Sequence, residues 1–321
     1  MRHAVLALLM IAFAMTSGSA QEGRGLVGTY TLLSITRTDG TGRTLTLPGE
    51  RPSGYLFYDR TGLMAAVIQQ SGRSRFAAAQ PTPQEAVAAV TSYSAYFGTF
   101  ATNEAERTVT HYKHGSFDPN ETGSVDRHSF TATSGQLVLQ GPPAADGVRV
   151  TSTWERMPEL SSLTPMHRTF IGFRKLVSNE VRNAKGEILP GPAGGLATGG
   201  TAANPGQSGY IVYSAAGVMA VQMMQPKRLK YTGARPSGDE ALAIFQTYNS
   251  YFGPYFFSER GDVVVHQRAG SFNPNTIADV PRTFTLDGPR VTLLPPPAVE
   301  DGVVQRQGYL TWELVSLSES R

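Results

Sequence analysis

One block of the chain occurs twice, at a fixed offset of 155 residues. The segment Ser53–Tyr58 (SGYLFY) returns as Ser208–Tyr213 (SGYIVY), and His111–Asn120 returns as His266–Asn275. The register holds without a gap from residue 53 to residue 120. A repeat of this length exceeds the period of solenoid proteins and gives each copy enough chain to bury its own core. The sequence therefore predicts a duplicated domain.

The length of 321 residues agrees with two domains. We predict a first unit over residues 26–157 and a second over residues 169–315. Residues 158–168 lie between them, and their segment Pro158–Pro165 has proline at both ends and small polar residues inside. This composition is typical of an exposed linker.

Residues 1–20 have the pattern of a secretory signal peptide. Arg2 and His3 precede the apolar run Ala4–Met15, and small residues follow as far as Ala20. The run is too short to span a bilayer. We expect an exported protein, periplasmic or secreted, that is soluble after cleavage near Ala20 and has no membrane span.

Composition argues against several classes of function. The chain has no cysteine, which excludes disulfides and thiol chemistry. Its 28 Lys and Arg against 25 Asp and Glu give a net charge of +3 and no reason to expect a nucleic-acid partner. His111 and His114 are spaced for opposite faces of a strand, which argues against a metal site. We expect no cofactor, and the sequence leaves the oligomeric state open.

Each unit consists of short segments rich in Tyr, Phe, Val, Ile and Thr, separated by turn residues, a pattern typical of antiparallel strands. One helix per unit is predicted to begin at a capping box, Thr82–Glu85 in the first and Ser237–Glu240 in the second. We expect each helix to reach the repeated Tyr-x-x-Tyr-Phe-Gly, where Gly98 and Gly253 end or bend it.

These elements predict an all-β, mainly antiparallel protein with two tandem β-barrels, each with one short helix. About eight to ten strands in roughly 130 residues suffice to close a sheet around one small ligand. A β-sandwich is the main alternative. The second unit also carries the insertion Asn183–Gly206, whose Gly, Ala and Pro predict a mobile loop. Because the loops of the first unit are shorter, we expect the first barrel to be the one that binds.

The repeated motifs resemble the bacterial and fungal lipocalin-like domains of the calycin type. The resemblance rests on Gly-x-Leu-x-Tyr with Gly-x-Met, Tyr-x-x-Tyr-Phe-Gly, a His followed by Gly-Ser-x-x-Pro-Asn, an Arg-x-Phe strand and a closing Trp-Glu-Arg. It covers nearly the whole chain after the signal and implies a barrel with a central cavity. The second copy departs from it at Trp312–Leu314, which lacks the final basic residue.

His111 and His266 are the candidate catalytic residues, because a histidine in a pocket moves protons near neutral pH. The alternative is a structural histidine that holds the Gly-Ser-x-x-Pro-Asn turn through a hydrogen bond. No base or nucleophile accompanies either residue in the local sequence, which favours the structural interpretation.

Arg127 and Arg282 are candidates to bind a ligand carboxylate inside the barrel. The alternative that we favour is a salt bridge to Glu155 and Glu313 on the last strand. Arg127 lies three residues before Phe130, whereas Arg282 lies two before Phe284, so either Arg127 or His128 occupies the position of Arg282.

A set of aromatic and methionine side chains completes the predicted pocket lining, because alternation along strands places about half of such residues inside a barrel. In the first unit these are Tyr55, Tyr58, Met64, Tyr93, Tyr96 and Trp154, and in the second they are Tyr210, Tyr213, Met219, Tyr248, Tyr251 and Trp312.

The sequence thus favours a binding protein for a small apolar or amphipathic molecule over an enzyme. An isomerase or cyclase acting on an apolar substrate in the same cavity is the first alternative. A non-catalytic scaffold that binds a protein partner is the second, and the identity of the ligand is left open.

Overall fold

A computed structural model describes residues 25–45, 51–144, 146–189, 206–300 and 302–316. The predicted signal peptide and residues 190–205 of the predicted mobile loop lie outside the described residues. Within the described part of that insertion, Leu189 N–H donates to the carbonyl oxygen of Val181, so its first residues fold back along the preceding strand.

The first half of the chain forms one antiparallel sheet. Its strands are β1 (Gly28–Thr38), β2 (Thr44–Leu45), β3 (Ser53–Tyr58), β4 (Leu63–Gln69), β5 (Tyr93–Asn103), β6 (Thr108–Ser116), β7 (Val125–Ala132), β8 (Gln136–Gln140) and β9 (Arg149–Arg156), with helix α1 (Pro83–Thr91) between β4 and β5. Neighbouring strands pair in chain order from β3 to β9, β1 pairs with both β3 and β9, and β2 extends β1. Eight strands therefore close into a barrel.

The second half repeats this arrangement. Its elements are α2 (Pro165–Phe170), β10 (Gly172–Asn183), β11 (Ser208–Tyr213), β12 (Val218–Met224), α3 (Gly238–Gln246), β13 (Tyr248–Phe257), β14 (Val263–His266), β15 (Gly270–Ser271), β16 (Val280–Asp287), β17 (Arg290–Leu294), β18 (Ala298–Glu300) and β19 (Val303–Leu314). Pairing of β10 with β19 closes this barrel as well. The predicted fold class is confirmed, and closure excludes the sandwich.

Both predicted capping boxes are present. The hydroxyl of Thr82 accepts from the N–H of Glu85, and that of Ser237 accepts from the N–H of Glu240. Each glutamate side chain in turn accepts from the backbone N–H of its cap residue. The expected helix ends are wrong. The helices end at Thr91 and Gln246, and Gly98 lies within β5, at a shift in the pairing of β5 with β6. Glycine is required there because a Cβ would overlap the carbonyl oxygen of Tyr112.

The predicted linker contains a further helix, α2, which begins within it at Pro165. Thr164 caps this helix by accepting from the N–H of His167, whose ring bonds back to Thr164. The helix places Phe170, which is fully buried, in the interior core of the second barrel.

A cross-strand pair accounts for the missing basic residue of the second copy. In the first barrel Tyr30 lies opposite Arg156, whose guanidinium bonds the Tyr30 hydroxyl at 2.8 Å and the carbonyl of Val27 at 2.9 Å. In the second barrel the same pair is Arg174 opposite Leu314. Arg174 bonds the carbonyl of Pro289 at 2.8 Å. The arginine therefore lies on the last strand of the first barrel and on the first strand of the second, at the same end of each barrel.

The two barrels share one hydrophobic core, which we call the inter-barrel core. It lies between the outer faces of β3–β5 and β11–β13, beneath α1 and α3. Its largest buried members are Phe57, Phe76, Tyr93, Phe97, Phe117, Phe173, Phe245, Tyr248, Phe252 and Phe272.

Polar contacts across this core are related by an approximate two-fold axis. The Arg228 guanidinium donates to the carbonyl oxygens of Ser116 and Phe117 in the first barrel. Its counterpart Arg73 donates to the carbonyl oxygens of Ser271 and Phe272 in the second. The repeated Gly-Ser-Phe-x-Pro-Asn turns therefore form contacts between the barrels. Each turn accepts hydrogen bonds from an arginine of the opposite half.

Candidate functional site

His266 lies on β14 inside the second barrel and is 1% exposed. Its Nε2 lies 2.8 Å from the hydroxyl of Tyr213, and its Nδ1 lies 2.9 Å from the hydroxyl of Tyr251. Both ring nitrogens are therefore used by tyrosines of the same barrel. The expectation that this histidine holds the following turn is wrong.

The tautomer follows from the donors around the ring. The Arg282 Nε–H lies 3.4 Å from His266 Nδ1, and a guanidinium only donates, so Nδ1 accepts and Nε2 carries the proton. Burial, together with the charges of Arg282 and Arg268, lowers the pKa of His266 well below its usual range. The imidazole is neutral at physiological pH.

Two arginines lie beside this histidine, and we call them the arginine pair, Arg268 and Arg282. Both are held by Tyr251: the Arg268 guanidinium lies 4.8 Å from its ring centre, and Arg282 Nη2 donates to its hydroxyl at 3.1 Å. Burial, opposed by Tyr251 and assisted by Arg282, lowers the pKa of Arg268. None of the ion pairs formed among the described residues includes either arginine.

The arginine pair lines a cavity of about 240 Å³ in the second barrel. The cavity lies at the end near α3, and its other walls are mostly apolar, with Ile211, Val221, Met223, Leu293, Leu310 and Trp312 among them. Tyr251 lines it, whereas His266 does not. A ligand there meets two guanidinium groups and an apolar wall, but not the imidazole.

The first barrel has a different set of charges at the equivalent positions. His111 is again bonded by two tyrosines, Tyr58 at 2.6 Å and Tyr96 at 3.1 Å. Lys113 replaces Arg268 and is 4% exposed. Its Nζ lies 2.8 Å from Glu121 and 2.7 Å from Asp126. These carboxylates, acting against burial, raise the pKa of Lys113 above its usual value. This cation is neutralised within its own barrel.

Strand register identifies the residue that takes the place of Arg282. Arg282 lies opposite Val264 on β14, and His128 lies opposite Val109, the counterpart of Val264, on β6. His128 therefore occupies the position, and its ring lies 4.9 Å from that of His111. Arg127 is on the outside of the barrel and pairs with Glu106.

The predicted salt bridges to the last strand do not form. Glu313 pairs with Arg290 at 3.1 Å, on the outer surface, rather than with Arg282. Arg127 pairs with Glu106 and not with Glu155. Because alternation on β19 points Trp312 inward, its neighbour Glu313 points outward, away from Arg282.

The structure divides the other predicted lining residues among three places. Tyr251, Arg282 and Trp312 line the cavity. Tyr213 and Met219 lie in the interior core of the second barrel, and Tyr58, Met64 and Trp154 in that of the first, with Tyr96 packed against it. Tyr55, Tyr93, Tyr210 and Tyr248 belong to the inter-barrel core instead.

Sequence reasoning missed Arg268 as a site residue. It lies two residues after His266, as Lys113 lies two after His111, so alternation along a strand puts both basic residues on the histidine face. The signal that could have identified Arg268 is the replacement of the two acidic residues that pair with Lys113. Glu121 is replaced by Thr276 and Asp126 by Val280, which removes both carboxylates from the second copy.

A family model described as a lipocalin-like domain matches residues 27–157 and again residues 171–315. No curated protein matches the chain. None of the helices in the described ranges has the length and apolar character needed to cross a membrane.

Two solved structures are similar over most of the chain. A protein of unknown function of the DUF3598 family from Nostoc punctiforme is 10% identical, with 92% of this chain and 98% of that chain covered and a TM-score of 0.24. A mutant of transferrin binding protein B from Haemophilus parasuis is 8% identical, with 90% and 76% covered and a TM-score of 0.23.

Proposed function

Both halves of the chain belong to the lipocalin-like domain family, and we propose on this premise that it is an exported protein that binds one small amphipathic molecule in the second barrel. The observation that carries the proposal is the cavity of about 240 Å³, which is lined by both apolar side chains and polar groups. Ligand pockets combine these two features, and drug-sized ligands need about 300–1,000 Å³. The ligand is therefore smaller than a typical drug.

Binding rather than turnover is supported by the position of the histidine. A general base must reach the proton that it abstracts, either directly or through one water molecule. His266 does not line the cavity, and both of its ring nitrogens are engaged by tyrosines. We propose that it fixes the orientation of Tyr251, which does line the cavity.

We place the ligand in the second barrel, although the shorter loops of the first unit had favoured the first barrel. The cavity lies in the second barrel. In the first, Lys113 and His128 occupy the positions of the arginine pair, with Glu121 and Asp126 beside Lys113.

The two tryptophans of the chain allow a test of each barrel separately. Trp312 lines the cavity of the second barrel, and Trp154 lies at the equivalent position of the first. In the Trp154→Phe variant, we expect hexan-1-ol or hexanoate to change the emission of Trp312 in a saturable way. The measurement is a fluorescence titration of the residues 21–321 chain after extraction of any carried compound.

The matched control is the Trp312→Phe variant, in which Trp154 is the single reporter. Its emission should change much less over the same range of probe concentration, because the probe fills the other barrel. Absence of a saturable change in Trp312 emission with both probes would refute the proposed function.

A further inference from the structure

Three donors around the cavity have no acceptor in the described structure. They are Arg282 Nη1, Arg268 Nε and Trp312 Nε1, all buried. All three residues line the cavity. A buried donor without a partner costs about 1–3 kcal/mol, and more when it is charged. These three groups offer only hydrogen-bond donors, and two of them belong to positively charged side chains.

The first barrel shows how side chains of the protein itself satisfy the same positions. Trp154 Nε1 donates to Ser152 at 2.8 Å, whereas the residue two before Trp312 is Leu310, which has no acceptor in its side chain. Lys113 has Glu121 and Asp126. All three acceptors have been replaced in the second barrel, by Leu310, Thr276 and Val280.

We propose that the ligand of the second barrel is a small organic acid whose carboxylate is bound by Arg268, Arg282 and the indole N–H of Trp312. This rests on the proposed function, since it specifies the chemical class of the molecule in that cavity. A carboxylate offers two oxygens with four acceptor positions and matches the fork of a guanidinium. It supplies one of the two negative charges that Glu121 and Asp126 provide in the first barrel.

Tyr251 places the two arginines for this task. Its ring lies against Arg268 and its hydroxyl accepts from Arg282 Nη2, so both guanidinium groups are fixed to one side chain. His266 accepts from the Tyr251 hydroxyl and thereby leaves that oxygen free to accept from Arg282. The arginine pair is organised before a ligand arrives, which favours affinity.

The apolar walls define the other end of the ligand. Ile211, Val221 and Met223 line the cavity from β11 and β12, and Leu293 lines it from β17. A straight or branched hydrocarbon group of a few carbons attached to the carboxylate meets this surface. Cationic ligands are excluded, because they would face two uncompensated positive charges.

The experiment compares hexanoate with hexanamide, which has the same shape and no charge. We expect the Trp154→Phe protein to bind hexanoate about 10-fold to 100-fold more tightly than hexanamide, as measured from Trp312 emission. Equal affinities would overturn the assignment of a carboxylate while the proposed function stands. Failure of hexanoate, hexanamide and hexan-1-ol alike to bind would remove the proposed function itself.

A variant of the second barrel separates the arginine pair from other sources of anion preference. Thr276→Glu with Val280→Asp returns the two carboxylates of the first barrel to their equivalent positions. Because Arg268 Nη1 lies 3.1 Å from the carbonyl oxygen of Thr276, a glutamate side chain there reaches the guanidinium. We expect hexanoate affinity to fall at least about 10-fold, with hexanamide affinity little changed.

The matched control is Thr276→Gln with Val280→Asn, which has nearly the same shape and adds no charge. It should keep the preference for hexanoate, and thermal unfolding of both variants shows that each is folded. If the acidic variant keeps full hexanoate affinity, or the amide variant loses it, the arginine pair is not the carboxylate site.

Discussion

Replacement of Phe117 by alanine should lower the free energy of unfolding by about 3–5 kcal/mol. Phe117 is 2% exposed and lies in the repeated turn that enters the inter-barrel core. Its ring centre lies 5.7 Å from that of Tyr93 in its own barrel. In the other barrel, the ring centres of Tyr248 and Phe272 lie 5.5 and 4.9 Å away. The variant leaves a cavity where the two barrels meet, and urea denaturation followed by circular dichroism measures the loss.

Phe256→Ala is the matched control for this prediction. Phe256 lies on β13 of the second barrel but is 46% exposed, so its truncation leaves no buried cavity. We expect a change within about 0.5 kcal/mol. Comparable losses for the two variants would show that the inter-barrel core contributes no special stability, and a separate early transition in the Phe117 variant would show that the barrels come apart first.

Acidification from pH 7.5 to pH 5 should also destabilise the protein strongly. Burial lowers the pKa of His111 and of His266 well below the usual range, with His128 and Lys113 adding to the effect at the first and Arg282 and Arg268 at the second. Below about pH 6.5 the unfolded chain takes up protons at these sites and the folded protein does not. Stability present above pH 6.5 is therefore lost as the pH falls.

Each histidine that stays neutral contributes a slope of up to about 1.4 kcal/mol per pH unit, which sets an upper bound of about 4 kcal/mol for the pair between pH 6.5 and pH 5. The measurement is the free energy of unfolding at several pH values for the natural chain and for His111→Gln with His266→Gln. The slope, not the absolute stability, is compared, so a less stable variant still answers the question. Equal slopes would mean that these two imidazoles do not govern the acid response.

The duplication could be predicted because one block recurs at a constant offset. The strands and helix starts could be predicted because their signals are local: turn residues and capping boxes lie within a few residues of the structure that they specify. Helix α2 was missed for a different reason: the Thr164 cap closes on His167 rather than on the usual glutamate or glutamine.

The candidate site was harder to predict, because strand faces and partners depend on register. Tyr93 and Tyr96 are three residues apart and therefore face opposite sides of β5, so one enters the inter-barrel core and the other contacts His111. Every residue of Val218–Met224 is buried, which marks a strand covered on both faces, but the sequence does not say what covers the outer one.

The position of Arg282 shows the limit most clearly. Only the pairing of β14 with β16, and of β6 with β7, reveals that His128 rather than Arg127 is its counterpart. The replacement of Glu121 by Thr276 is visible in the sequence, whereas that of Asp126 by Val280 follows from the same strand register. Both replacements gain meaning only once Arg268 is known to lie beside Arg282 and Tyr251.

The two-fold arrangement of Arg73 and Arg228 has an evolutionary consequence. Each half carries both the arginine and the turn that receives its partner's arginine, so a single-barrel ancestor with these contacts forms a symmetric homodimer. In a homodimer every substitution appears in both interiors. Fusion of the genes keeps the two barrels together at an effective concentration on the order of millimolar. It also allows their sequences to differ. One interior can then keep its acidic residues, as the first barrel keeps Glu121 and Asp126, while the other replaces them, as the second barrel does with Thr276 and Val280.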